Sequence, residues 1–442
     1  MRVLALDVGS SSVKAAVISG GRILGSIARR PVETRLDPPR VEIPAEPLWR
    51  AFALAIRDLG KAAREADRIA LDALSPSFVL LDRKGDPLTP LITHQDRRSV
   101  AQAKEIEGLF GQEEHLRRAG NRPFPGGIAS TTLLWIRQER PALLRRAATA
   151  GMATTFLVGR LTGERVIDPG NAAFLGLYDH GLRSRGGACA WSPDLMGPSG
   201  IRESQLPRIL DGGAVAGTLR PQAARALGLR AGMEVLAGVV DTSAAFLGVG
   251  AMPGRILNSI GTTDVIALAC PRPQPHRRLL TRELGAGPLW LSVYTIAAGG
   301  GSVEWAHRAL FPDLGDGAYF RMARRLARED SAPRPRFRPY LAGDRMSIEQ
   351  VEAGFDGLDL KTTREDLLRS VLAALAERSA EGVGLLTRRA RPLRDVHVAG
   401  GGGWLGGLLH AAWPGRWRFR PMKDAAIKGL GNLAQGKLTA SF

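Results

Sequence analysis

Two carboxylates stand where apolar runs stop. Asp7 interrupts the strand-like stretch Val3–Val8 just before Gly9-Ser10-Ser11-Ser12, and Asp241 follows the apolar run Val235–Val240 ahead of Thr242-Ser243. A lone ionised carboxylate in a buried strand is costly unless it is paired or meets a cation. The turn beside Asp7 offers backbone N–H groups and three hydroxyls, a nest for phosphate oxygens. Asp7 stands where a Mg²⁺ serving those phosphates would sit. An ordinary hairpin with an exposed Asp near its turn fits that stretch equally well, because Gly-Ser turns are common. Asp241 either caps the small-residue helix Ala244–Val249 that follows or acts as a positioned base; taken locally, the cap is favoured.

The turn chemistry is then repeated. Arg255–Ala269 reads as strand, Gly261-Thr262-Thr263, strand, so Gly-Ser-Ser-Ser-Val and Gly-Thr-Thr-Asp-Val are one device used in two halves. One phosphate-cradling hairpin per half implies two similar domains gripping a nucleotide. Gly299-Gly300-Gly301 precedes a helix, and Gly400-Gly401-Gly402-Gly403 follows the strand Val396–Ala399. Glycine at such places lets the backbone approach a flat ring or a phosphate closely. Ile69–Asp82 forms two strand-like runs broken at Ser75-Pro76-Ser77. Strands that stop at small hydroxyl residues often open onto a ligand crevice, though a plain turn is as good a local reading. Thr93–Ser99 is dense in polar side chains, Asp96 and Arg97 among them, and suits either a helix cap or a polar-substrate contact.

The positioning elements are legible by period. Val13–Ile18 reads as a second strand and Arg22–Leu24 begins a third. Pro47–Arg68 is amphipathic, with Leu48, Phe52, Ile56 and Leu59 at helical spacing. Thr154–Gly163 reads as a helix ending at a glycine, and Thr362-Thr-Arg-Glu365 as a capping box opening a long helix toward Arg391. Leu405–Trp413 reads as helical, while Gly181–Gly200 reads as an irregular surface segment.

At 442 residues, 44% of them hydrophobic, the chain is long for one core and ordinary for a globular enzyme of two domains. No apolar run approaches membrane-spanning length. The first strand starts at once and leaves no room for a signal peptide. Cys189 and Cys270 form no motif. A cytoplasmic protein follows by default. The formal charge of +18 is almost all arginine, spread through helix-like segments such as Arg137–Arg146, Arg321–Arg328 and Arg388–Arg394. With no basic tract or recognition motif, a specific nucleic-acid partner is not expected, although weak, salt-sensitive adsorption is.

Taken in order, these elements resemble the FGGY carbohydrate kinase family, whose two ribonuclease H-like domains share the fold of actin, hexokinase and the Hsp70 ATPase. The resemblance runs from Val3 to about Ala434. It rests on Asp7-Val-Gly-Ser-Ser-Ser-Val-Lys14, Gln95-Asp96-Arg97, Gly120-Asn121, Thr132-Leu-Leu-Trp135 with Pro141, and Leu161-Thr-Gly-Glu164. In the second half it rests on Gly238-Val-Val-Asp-Thr242, Gly261-Thr-Thr263, Gly299-Gly-Gly301, Pro339–Asp344 and Gly400-Gly-Gly402.

The resemblance implies an α/β fold with a nucleotide cleft between an N-terminal domain, 1–237, and a C-terminal domain, 238–442. It implies an ATP- and Mg²⁺-dependent sugar kinase with Asp241 as general base and Asp7 positioning the metal. Gly9, Ser10, Ser11, Ser12 and Lys14, with Gly261, Thr262 and Thr263, would serve the phosphates. Gly299–Gly301 and Gly400–Gly402 would line the adenosine pocket. Ser75, Asp96, Arg97, Asp241 and Thr242 would contact the sugar.

Ala73-Leu-Ser-Pro-Ser77 lacks the histidine that contacts xylulose in xylulokinases and is closer to the short D-ribulokinase pattern. The expected substrate is therefore a ketopentose or ketoheptose, D-ribulose-like. His94 stands where many members have Trp, and Trp413–Pro421 shortens the usual tail, which leaves nucleotide preference open. No membrane partner is expected, and the chain would work as a monomer or homodimer. A nucleotide-binding sensor on the same fold that has lost transfer is the alternative.

Overall fold

The computed structural model describes residues 1–329, 335–388, 390–400 and 403–438. The chain divides into two compact units. The first comprises Met1–Pro253, Ala269–Leu291 and Asp424–Phe442, and the second Gly254–Leu268 and Ser292–Lys423. The units do not follow a division after residue 237. Residues 238–253 stay with the N-terminal part, so Asp241 belongs to the first unit.

The first unit is built on a mixed sheet. Apolar Arg2–Val8 pairs antiparallel with Ser12–Ser19, setting Asp7 opposite Lys14, and Ser12–Ser19 pairs antiparallel with Arg22–Pro31. On its other side Arg2–Val8 pairs parallel with Arg68–Ala73, which sets Asp7 opposite Asp72. The expected single strand Val235–Val240 is two, Glu234–Leu236 and Val239–Val240, both parallel to Arg68–Ala73. Gly238 breaks them at φ +83°, and a Cβ there would lie 2.9 Å from the Leu71 carbonyl oxygen.

The helix expected over Pro47–Arg68 stops early. It spans Ala45–Asp58, Gly60 takes a positive φ of 55°, a short turn Lys61–Arg64 follows, and Arg68 is already strand. Its buried face, Leu48, Phe52, Ala55 and Ile56, packs into the same core as Leu4, Leu6, Val13 and Leu71. Each large apolar side chain buried there contributes about 1.5–3 kcal/mol.

Helix Asp241–Gly248 crosses the closing helix Ala425–Ala434 at glycine contacts. A Cβ at Gly429 would stand 1.7 Å from the Ala244 carbonyl oxygen, and one at Gly248 2.0 Å from that of Ala425. The closing helix therefore fixes the helix that carries Asp241. Ala153–Thr162 is helical as expected, with Gly163 at φ +89° ending it. Gly181–Gly200 holds two short helices, His180–Ser184 and Pro193–Met196, rather than irregular chain throughout.

The second unit repeats the hairpin. Ile256–Ile260 pairs antiparallel with Asp264–Cys270 and parallel with Asp395–Ala399, which pairs parallel with Arg418–Pro421. Its long helix, Arg364–Thr387, ends short of Arg391. The capping box lies one residue later than expected: Thr363 Oγ1 accepts from the Asp366 N–H (3.2 Å) and the Thr363 N–H donates to Asp366 Oδ2 (3.0 Å). Helix Gly403–Ala411 covers most of the expected Leu405–Trp413.

Candidate active site

Three neighbouring parallel strands of the first unit end side by side, at Val8, Ala73 and Val240. The carboxyl ends of parallel strands are where α/β sheets place ligands. Gly9–Ser11, Ser75 and Asp241 leave the sheet there. In the first turn the Gly9 N–H donates to the Ser12 carbonyl (3.0 Å), while Ser10 and Ser11 are exposed.

Asp241 is not the helix cap. It is the first residue of Asp241–Gly248, whose cap position is Val240. Its Oδ1 accepts from the Thr242 N–H (2.6 Å) and the Thr242 hydroxyl (3.0 Å). Both bonds fall on one oxygen, so Oδ2 is the oxygen left for an outside proton. Though densely surrounded, the side chain is only half-buried by accessible surface. Burial raises its pKa, the Thr242 bonds oppose that, Asp7 adds to it and Arg282 lowers it.

Asp7 is 8% exposed, and Lys14 Nζ donates to its Oδ2 at 2.8 Å. Asp72 beside it is fully buried, and neither of its oxygens has a hydrogen bond of regular geometry. Burial, then the charges of Asp7 and Asp241, hold Asp72 well above the usual carboxylate range.

A polar wall continues from Ser75. Its hydroxyl donates to Asn171 Oδ1 (2.7 Å), and Asn171 Nδ2 donates to Asp168 Oδ1. Asp168 caps helix Pro169–Leu175 through the Asn171 N–H (3.2 Å). Burial pushes Asp168 up to about 6 against the Asn171 bonds and the charge of Arg282. Arg282 is itself buried; Nη1 donates to Ser243 Oγ (2.7 Å) and the Glu283 carbonyl (3.0 Å). Desolvation brings it down to about 10, with Asp168 and Asp241 favouring its charged form. One buried guanidinium therefore serves both the wall and the helix start at Asp241. The Gly120-Asn121 loop is tied to the same segment, because Asn121 Nδ2 donates to the Thr281 carbonyl and the Thr281 N–H donates back to Oδ1, both at 2.8 Å.

Asp96 and Arg97 are placed differently. Asp96 is buried, with Oδ2 accepting from the Val41 N–H (2.9 Å) and Arg98 Nη2 (2.6 Å), and Oδ1 from Arg98 Nε (2.9 Å). Its carboxylate holds the loop to Val41 and Arg98. Arg97 Nη1 donates to the Pro125 carbonyl (3.3 Å).

In the second unit, Gly261-Thr262-Thr263 and Gly299-Gly300-Gly301 meet. The Gly300 N–H donates to the Gly261 carbonyl (2.9 Å) and the Gly301 N–H to that of Thr262 (3.0 Å). A Cβ at Gly300 would lie 2.5 Å from the Gly261 oxygen. Gly400, at φ +95°, packs so closely that a Cβ would meet the Ile260 oxygen at 2.1 Å. Gly401 and Gly402 lie outside the described residues. Asp264, directly after the turn, is buried and pushed up to about 7 by desolvation, against bonds from Asn258 and Ser379.

Sequence reasoning passed over Asp72, Asp168, Asn171, Arg282 and Asp264. The signal for two of them was a charge in or next to an apolar run, Asp72 in Ile69–Leu74 and Asp264 ahead of Val265–Ala269.

Residues 2–248 match the N-terminal domain of the FGGY family of carbohydrate kinases. More than half of the chain is matched, and the chain belongs to that family. It is 30% identical over 267 residues to a xylulose kinase of Streptomyces rubiginosus, covering 60% of this chain and 53% of that one. It is likewise 30% identical over 289 residues to an autoinducer-2 kinase of Klebsiella pneumoniae, covering 63% and 53%. The chain thus spans about half the length of these curated relatives. Among solved structures, the xylulose kinase from Rhodospirillum rubrum superposes with a TM-score of 0.84 at 25% identity, over 99% of this chain and 90% of that one. The mixed α/β, two-domain fold expected from the sequence is the fold of these neighbours. Among the described residues no helix is long and apolar enough to cross a membrane.

Proposed function

We propose that this protein transfers the γ-phosphoryl group of ATP to a terminal hydroxyl of a small ketose, a ketopentose or ketoheptose with D-ribulose favoured. Asp241 is the general base. The observation that carries this reading is Asp241 itself: it stands at the open carboxyl end of three parallel strands beside Asp7, with Oδ1 held by Thr242 and Oδ2 uncommitted. Oδ2 takes the proton as the sugar oxygen attacks phosphorus. Family membership supports the class of reaction. Phosphoryl transfer asks mainly for positioning and charge neutralisation, the roles assigned here to the glycine- and hydroxyl-rich turn of each unit.

The residues fit a Mg²⁺ that arrives with the nucleotide. Asp7 commits one oxygen to Lys14, and the Asp72 carboxyl next to it has two orphaned oxygens. Mg²⁺ takes one or two carboxylates and fills its remaining positions with water and phosphate. Asp7 would hold it, and the ion would offset charge on the phosphates. Gly9–Ser12, Lys14 and Gly261–Thr263 are assigned to the phosphates, and Gly299–Gly301 with Gly400 to the adenosine. Ser75 and Thr242 are the sugar contacts, with Ser75 oriented by Asn171. Asp96 and Arg97 are assigned to the sugar only through the loop that they fix.

The absence of a histidine in Ala73–Ser77 favours ribulose over xylulose, while the names of the relatives keep xylulose in the test. ADP release is measured with Mg-ATP against ribulose, xylulose, sedoheptulose, fructose, glycerol and ribitol. Strong stimulation by ribulose or sedoheptulose is expected. Equal, low turnover with every sugar would overturn the assignment and favour the sensor reading.

A further inference from the structure

A concavity in the first unit, of about 510 Å³, is ringed by cations. Arg83 and Lys84 come from the turn after strand Ser77–Leu81, and Arg145 and Arg146 from the last turn of helix Pro141–Arg146. Arg165, Arg202 and Arg220 complete the ring. None of the residues of the carboxylate group around Asp241 lines it.

What marks this place is the missing counter-charge. Several arginines elsewhere in this basic chain are matched to acids, among them Arg30 with Asp58, Arg122 with Glu107, Arg183 with Glu283 and Arg364 with Asp313, whereas here seven cations share one concavity. Among the described residues none of the seven cations here pairs with a carboxylate. Arg165 donates to the Ala148 carbonyl (2.7 Å) and Arg220 to those of Gly159 (3.2 Å) and Arg160 (2.9 Å), contacts that orient a guanidinium without neutralising it. The single acid in the wall, Asp82, accepts the N–H groups of Lys84 (2.8 Å) and Asp86 (3.0 Å) on one oxygen. The adjoining concavity makes the contrast, since its Arg160 is paired with Glu46 and Asp86.

The ring is also held in place. Buried Gln205 donates through Nε2 to the Leu144 (2.9 Å) and Ala147 (2.7 Å) carbonyls, which fixes the end of the helix carrying Arg145 and Arg146. A helix C-terminus favours two cations but gives no reason for the other five. Crowding like charges is repulsive unless an anion relieves it, and guanidinium forks match phosphate oxygens.

We propose that this concavity binds a small anion carrying two or more phosphate groups, such as a bisphosphorylated sugar or an inorganic polyphosphate. Its volume lies in the range of about 300–1,000 Å³ usual for small-ligand sites. No Phe, Trp or Tyr lines it, so it offers no platform on which a base would stack. That favours a base-free ligand over a nucleotide or a nucleic-acid strand.

The test is calorimetric titration of the full chain with inorganic tripolyphosphate, without Mg²⁺, at two salt concentrations. Three proteins are compared: wild type, the triple variant Arg83→Ser/Arg146→Ser/Arg202→Ser, and the charge-matched control Arg22→Ser/Arg50→Ser/Arg225→Ser, all at exposed positions. Each charge-assisted bond lost is worth about 1.5–3 kcal/mol, so the site variant weakens binding by about a hundredfold or more. The control stays near wild type. Binding at the Gly9–Ser12 turn would survive in both variants, so the difference between them reads this site alone. Lys84→Glu, on the exposed turn, gives the same direction if the triple variant melts early. Equal weakening in both triples, the absence of a saturable event, or a 20-nucleotide RNA that binds through these residues where tripolyphosphate does not, would overturn the proposal.

Discussion

Asp264 is expected to weaken the second unit at neutral pH, and Asp264→Asn to strengthen it. The carboxyl is fully buried, receives Asn258 Nδ2 on Oδ1 (2.5 Å) and a long contact from Ser379 on Oδ2 (3.5 Å), and no cation is among the causes of its shift. Desolvation pushes it from 3.8 up to about 7. The folded state therefore holds this proton more tightly than the unfolded chain. Its contribution to stability is fully present below about pH 4 and is lost as pH rises through 7. At about 1.36 kcal/mol per pH unit, the loss approaches 4 kcal/mol at pH 8. An asparagine mimics the protonated acid: its oxygen keeps the Asn258 bond and its amide faces Ser379, which also accepts from Trp413 Nε1 (2.9 Å). Allowing about 1 kcal/mol for that imperfect partner, Asp264→Asn should gain about 3 kcal/mol at pH 8, and the gap should close toward pH 4. Amide hydrogen exchange in strand Asp264–Cys270, followed in denaturant at several pH values, reads the second unit by itself. A variant less protected than wild type at pH 8 would refute the reasoning, because it would mean the fold holds the ionised form.

Gly429→Ala drives a methyl group against the Ala244 carbonyl at 1.7 Å, a backbone contact that cannot swing away. It should cost about 3 kcal/mol or more in urea unfolding. Because the displaced helix begins at Asp241, turnover should fall as well, whereas an exposed change on the same closing helix should leave both intact. Arg183→Met strips the cation from Glu283, whose side chain is 2% exposed. Breaking a fully buried pair costs about 3–5 kcal/mol. Arg183 is 30% exposed and Tyr178 keeps its hydroxyl on Glu283, so about 2 kcal/mol is expected in the same unfolding assay.

Much of the site was legible because its signals are local. A carboxylate at the end of an apolar run, a turn of glycine and hydroxyl residues, and the same turn repeated are properties of short windows, and the hairpins at Gly9 and Gly261 fold as read. Two misplacements are also local. Thr362 with Glu365 and Thr363 with Asp366 both satisfy the capping pattern, and only the helix register selects the second pair. Asp241 sits one position inside its helix rather than at the cap, because Val240 is still extended and ends the strand.

What escaped is set by partners far apart in the chain. Asp72 matters because parallel pairing sets it against Asp7, and nothing near residue 72 announces that register. Arg282 joins a wall built from Ser75, Asp168, Asn171 and Ser243, contributed by separate segments. Asp96 carries the polar signature of a substrate contact, yet its oxygens close a loop onto Val41 and Arg98. Polarity in a sequence window marks a group that needs partners, and the tertiary structure decides whether those partners are the protein's own.

Whether Asp241 is the base is read most plainly from ADP release by Asp241→Asn beside wild type, with the sugar that stimulates best and with ATP binding followed by the shift in melting temperature. An unchanged ATP-induced shift and turnover lower by about 10²–10⁴-fold are expected. Turnover within about threefold of wild type would contradict that role, since a general base contributes far more than that.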